Sequence, residues 1–203
     1  MPSPTTERNQ TISLAQSNWS AALASARKVS DPWHRCQSLA WVARFAPAGV
    51  VTNIAAEALS AARACDDPYK VAAASAWPLR ALIERDQRSQ IGSLLDHLLQ
   101  TAETIPHPVN RLDALFLIWQ GVFPVGSSGR HRPQSALLRA CQNVNSWKGS
   151  YTLRDTAVMV APDDMAEAQR IVAMMPESSY RRQTLRQIVE GKRLSPRPFF
   201  WEN

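Results

Sequence analysis

"SDPWHRCQSLAWVARFAP", residues Ser30–Pro47, and "DDPYKVAAASAWPLRALI", residues Asp66–Ile83, are two versions of one helical segment written 36 positions apart. Each opens on an acidic residue and a proline. Aspartate accepts the free amide groups of a first helical turn, and proline suits the first helical position because its missing N–H would have no partner there. After the opening, Cys36, Leu39, Ala40 and Ala43 fall on one helical stripe. Working outward, Trp19, Ala22, Leu23, Ala26 and Val29 form another stripe just before Ser30, and a shift of 36 carries it onto Ala58, Leu59, Ala62 and Cys65 before Pro68. The unit that repeats is a pair of helices joined by a proline-marked turn.

Three further copies follow. Leu98, Leu99, Ala102 and Ile105 lead into His107-Pro108, after which Arg111 and Leu115 stand where Arg35 and Leu39 stood. Leu137, Leu138, Cys141 and Val144 precede Trp147, with a second helix expected from about Ser150 to Val160. Ala168, Val172 and Met175 precede Pro176, and Arg181 and Leu185 occupy the Arg/Leu places again. A helix pair of this length cannot bury its apolar stripe alone, whereas stacking it on its neighbours makes one continuous core. The expectation is an all-α chain: a superhelical stack of about five antiparallel helical hairpins, an α-solenoid, over residues 17–191. No stretch alternates like a strand. Residues 1–16, rich in Ser, Thr and Pro, read as a flexible lead, and residues 192–203 as an aromatic, Pro-containing tail. "FPVGSSGRHRPQ", Phe123–Gln134, reads as the longest internal loop and a candidate hinge.

The period and the pairing resemble the α-solenoid families, HEAT-like and tetratricopeptide-like. The tetratricopeptide signature does not appear in order and the ankyrin motif is absent, while the Asp-Pro turn is similar to HEAT repeats. The resemblance implies a binding scaffold.

Other classes find little support. No apolar run approaches the roughly 20 residues that cross a bilayer. The first residues lack the basic cluster and apolar core of a signal peptide, so the expected location is cytoplasmic. Cys36, Cys65 and Cys141 have neither zinc nor redox spacing and read as small buried hydrophobes. The four histidines are scattered, and no catalytic motif, cofactor motif or metal site is recognisable. Asp66-Asp67 and Asp163-Asp164 read as helix caps. The expectation is a non-enzymatic chain.

Two rows of residues stand out as candidates for binding. Trp41 and Arg44 map onto Trp77 and Arg80, each pair sharing one helix face, so they suggest a ladder of rings and guanidinium forks suited to an acidic peptide or a phosphate backbone. Copy three replaces the pair with Leu117 and Gln120, and Pro78 is expected to kink its helix. Arg35, Arg111 and Arg181 share one repeat position and suggest ion pairs with Asp31, Asp113 or Glu177, or an anion-binding row. Gly126–Pro133 offers a helix start with Arg130, His131 and Arg132, without the signature of a phosphate loop. The leading expectation is therefore a protein- or peptide-binding module. The alternative is nucleic-acid binding through an arginine-rich groove, similar to solenoid DNA glycosylases, which the net charge of +6 permits. A weaker alternative is a secreted bacterial effector with residues 1–16 as export lead.

Overall fold

The computed structural model describes residues 3–144, 146–192 and 194–199, except the side chain of Arg88. Among these residues there is no strand. The helices are α1 (Pro4–Ala15), α2 (Trp19–Ala26), α3 (Pro32–Phe45), α4 (Ala48–Arg63), α5 (Pro68–Glu84), α6 (Ile91–Glu103), α7 (Pro108–Val122), α8 (Ser127–Gln142), α9 (Trp147–Val160), α10 (Met165–Ala173) and α11 (Ser179–Val189). No described helix is long and apolar enough to cross a membrane.

The punctuation in the sequence starts the helices. Asp31 accepts the His34 amide at 2.9 Å and Asp67 the Tyr69 amide at 2.7 Å. Asp164 caps α10 and Ser178 caps α11 in the same way. Proline occupies the first turn of α3, α5 and α7. Burial and hydrogen bonding act on Asp31 in opposite directions: desolvation raises its pKa, but the His34 amide and ring together hold it below the ordinary carboxylate value. A carboxylate with a depressed folded pKa stabilises the fold above its unfolded pKa, and that contribution disappears as pH falls through the folded value. Thermal melts below about pH 4 should therefore show a smaller acid loss in Asp31→Asn than in the parent.

Packing follows chain order. α3 lies against α4 and α5; α5 against α4, α6 and α7; α7 against α6, α8 and α9; α9 against α8 and α10; and α10 against α11. The second helices α3, α5, α7 and α9 thus form a row, each touching the next. Small residues make this possible: α5 buries Ala72, Ala73, Ala74 and Ala76, and an added Cβ on Gly121 of α7 would sit 3.2 Å from the Ala76 carbonyl oxygen. Two buried clusters result. One runs from α4 to α11 around Phe116 and Trp119, and the other gathers α1 to α5 around Leu39, Trp41 and Trp77.

Several expectations are corrected. Residues 4–15, expected within a flexible lead, form α1, because Ser3 caps the Thr6 amide, Pro4 starts the turn, and Thr11 and Ala15 bury themselves as α1 packs on α2 and α3. The expected loop at Phe123–Gln134 is almost entirely helical. Gly126, at φ +90°, makes the whole break between a short 3-10 turn at Phe123–Val125 and α8, which passes through Pro133. α9 begins at Trp147, earlier than expected, and in its first turn Gly149 comes so close to the preceding segment that an added Cβ would lie 2.8 Å from the Val144 carbonyl oxygen. That approach yields a prediction: Gly149→Ala lowers stability by about 1–3 kcal/mol through overpacking, read as a shift in denaturant midpoint.

Candidate functional site

The Arg row has a use that the sequence concealed. Arg35 Nη1 donates to the Val29 carbonyl oxygen at 3.1 Å, Arg111 donates through Nε and Nη2 to the Ile105 oxygen at 2.9 and 2.6 Å, and Arg181 Nη1 donates to the Met175 oxygen at 3.3 Å. Each guanidinium reaches back across its turn to a carbonyl near the end of the preceding helix, where acceptors lack intrahelical partners. Of the three suggested ion pairs, Arg181–Glu177 is present at 3.0 Å. Asp31 instead serves His34, and Asp113 serves Tyr69 and Arg197. Removing the clamp by Arg111→Ala should cost about 1–3 kcal/mol, with Arg111→Lys recovering only part, as differential scanning calorimetry would show.

Trp41 and Trp77 are buried, 9% and 3% exposed, so they are not open anchors. Their arginines converge on one carboxylate. Arg44 Nε and Arg80 Nε each lie 2.7 Å from an oxygen of Glu84, and Arg44 also sits 4.9 Å over the Trp41 ring. Arg80 donates to the Gln120 carbonyl oxygen at 3.2 Å.

What covers these residues comes from the far end of the chain. Residues 194–199 run without helix across α9, α7 and α5. Arg154 Nη1 donates to the Ser195 carbonyl oxygen at 2.8 Å, and Gln120 Nε2 donates to the Arg197 carbonyl oxygen at 2.6 Å. The Arg197 side chain donates to Asp113 at 2.8 Å and lies 4.2 Å over the Phe116 ring. Phe199, 1% exposed, belongs to the same buried cluster as Trp41 and Trp77, with the Arg80 guanidinium 5.2 Å over its ring. Phe200 and Trp201 lie outside the described residues.

Asp113 is fixed from its other side by the Tyr69 hydroxyl, which donates at 2.9 Å. Burial first, then the nearby carboxylate, pushes the Tyr69 phenol well above its ordinary pKa, so it remains a donor. Beside the segment opens a cavity of about 470 Å³, bounded by Asp113, Arg154 and Ser195–Arg197 on one side and by Trp147 and Tyr151 on the other. Trp147 and Tyr151 are 66% and 51% exposed; their rings meet edge to face at 5.3 Å, and Tyr151 stacks on Tyr180 at 5.5 Å.

Other candidates are engaged elsewhere. Arg130 is buried against Asp163 at 3.0 Å and over Phe123, and Arg132 pairs with Asp96 at 2.6 Å, so the Gly126–Pro133 segment is no anion cradle. Thr5 Oγ1, His34 and Asp31 form a chain with separations of 3.3 and 2.6 Å. Asp31 Oδ1 in that chain is also the cap of α3, and Thr5 does not line the neighbouring 530 Å³ hollow between Trp33, Cys65 and Tyr69, so the chain reads as the joint between α1 and α3. Burial raises the Cys36, Cys65 and Cys141 thiols, Cys141 to about 12, which keeps them protonated and poor nucleophiles. Among the described residues no three or more His, Cys, Asp or Glu are grouped to hold a metal. No family model matches the chain, and no curated protein or solved structure matches it either.

Proposed function

We propose that this chain is a non-enzymatic helical-repeat module that binds an extended protein segment. In this reading five antiparallel hairpins, α2–α3 to α10–α11, stack as an α-solenoid, HEAT-like in its Asp-Pro turns, and α3, α5, α7 and α9 line its concave side. The observation that carries it is the pair of bonds from Arg154 and Gln120 to the carbonyl oxygens of Ser195 and Arg197. Side chains that grip main-chain carbonyls two residues apart recognise an extended chain as such, and adjoining pockets then select its side chains. Gln120 is only 1% exposed, so its carboxamide is held in place rather than free to adapt.

The nucleic-acid reading is weaker on this face. Arg44, Arg80 and Arg154 are each paired with a carboxylate, and Glu84, Asp113 and Asp155 would meet an approaching phosphate backbone. A random-peptide display selection against the full chain carrying Arg197→Ala and Phe199→Ala tests the proposal. Recovered peptides should compete with one another and keep most of their affinity between 50 and 200 mM salt, where a protein contacting several phosphates loses about 10³-fold or more. Failure to enrich any peptide, together with salt-sensitive binding of a DNA duplex, would reverse the choice.

A further inference from the structure

We infer that Ser195–Phe199 is a built-in, replaceable occupant of this face, and that the partner it stands in for is an extended segment with an arginine followed two residues later by an aromatic ring. The inference rests on the peptide-binding reading and adds what the face selects and what keeps it closed.

Selection comes from two anchors. The Arg197 guanidinium enters a slot with Asp113 at 2.8 Å and the Phe116 ring at 4.2 Å, so the slot offers both a carboxylate and a π face to a planar cation. Two residues on, the Phe199 ring is buried beneath Arg80. In an extended chain, residues two apart point the same way, so cation and ring enter the face together.

The segment is a poor occupant in one respect. The Gln120 carboxamide is used on one side only: Nε2 donates to Arg197, while Oε1, also buried, accepts no hydrogen bond among the described residues. Pro196 and Pro198 flank Arg197, so of these three residues only Arg197 has an N–H to offer. A competitor that sets a hydrogen-bond donor against Oε1 makes a bond that this segment does not. The Arg197–Asp113 pair is also partly open to solvent, with side chains 43% and 33% exposed, which limits what it contributes. The adjoining 470 Å³ cavity leads from Ser195 to the exposed Trp147 and Tyr151. A longer ligand would continue there over ground that the described residues leave bare.

The competitor belongs to another protein rather than to a second copy of this chain. The segment follows α11 after a short link through Gly191, and Leu194 packs on the core, so each face is already filled by its own tail. A tethered segment competes at an effective concentration of about a millimolar. A tail from another copy has no advantage over it.

The experiment is a fluorescence-polarisation titration with labelled Leu-Ser-Ala-Arg-Ala-Phe-Phe-Trp, the tail sequence with alanine for both prolines. It is titrated against the full chain, the full chain with Arg197→Ala and Phe199→Ala, and the full chain with Asp113→Asn. The double variant should bind at least about tenfold more tightly than the parent, as expected when a tethered competitor at that concentration is weakened. Replacing the peptide's arginine and first phenylalanine by alanine should remove about tenfold or more of that affinity. Asp113→Asn, which leaves Phe199 in place, covers the case in which the double variant loses helicity. It should bind the arginine-free peptide better than the parent does, and the arginine peptide with no such gain. Equal binding by parent and variants, indifference to arginine and ring, or a parent dimer that the double variant abolishes would overturn the inference. If other peptides bind the double variant while these do not, the peptide-binding reading survives alone.

Discussion

Replacing Trp119 by alanine is expected to lower the stability of the chain by about 3–5 kcal/mol, the range for removing a large aromatic side chain from a packed core. Trp119 is completely buried at the centre of α7. Its ring packs against Phe116 at 5.8 Å and edge to face on Phe123 at 5.1 Å, and its Nε1 donates to Gln134 of α8 at 3.4 Å. The cavity left behind would lie where α7 meets α8, so loss there weakens the joint between those two helices. For a chain of this size the melting temperature should fall by about 10 °C. Trp119→Phe, which keeps most of the volume, should lose less than half as much. Scanning calorimetry of both variants decides it, and a Trp119→Ala melt within 2 °C of the parent would show that α7 is not the centre of the core, since even 1 kcal/mol moves the melt by about 2–4 °C.

The second large effect belongs to Gly121. Glycine inside a helix ordinarily costs about 1 kcal/mol relative to alanine, so filling it should help unless its space is taken. Here the space is taken by backbone: the added Cβ would lie 3.2 Å from the Ala76 carbonyl and 3.7 Å from Leu79 Cδ2. A carbonyl in the middle of α5 cannot swing aside as a side-chain tip can. Gly121→Val should push α7 off α5 and cost about 2–3 kcal/mol. Gly92→Ala, where an added Cβ meets nothing within 4 Å, should leave stability unchanged or slightly raised. Denaturant unfolding of the two variants side by side gives the contrast. Equal midpoints would mean that the second helices do not need their close approach.

The helices were legible because their boundaries are written locally. Asp31-Pro32, Asp67-Pro68 and His107-Pro108 start helices through short-range geometry, and the apolar stripes between them repeat at helical spacing. Position equivalence was legible too, since Arg35, Arg111 and Arg181 do perform one task. The task itself was hidden, because its acceptors are the carbonyls of Val29, Ile105 and Met175, and a carbonyl leaves no mark in a sequence. α1 was missed for want of an apolar stripe, as it buries only Thr11 and Ala15. The segment at Phe123–Gln134 looked like a loop on the strength of its glycines, serines and prolines, yet Gly126 alone makes the turn. The Trp41/Trp77 equivalence lies in the repeat spacing, but its burial depends on the cluster that also holds Phe199, far along the chain. Gln120, which first read as the place where the ladder stops, holds the Arg197 carbonyl. No local pattern announces such a contact.

On the proposal above, α3, α5, α7 and α9 hold an extended segment, with this chain's own tail as resident occupant. Backbone and side-chain amide NMR of the isotopically labelled full chain carrying Arg197→Ala and Phe199→Ala, titrated with unlabelled Leu-Ser-Ala-Arg-Ala-Phe-Phe-Trp, tests it most directly. Shifts are expected to concentrate on α5, α7 and α9, with the Gln120 side-chain amide and the Asp113 and Arg154 backbone amides moving together and saturating at one affinity. Shifts falling instead on α4, α6 and α8, or none at a saturating concentration of peptide, would contradict it.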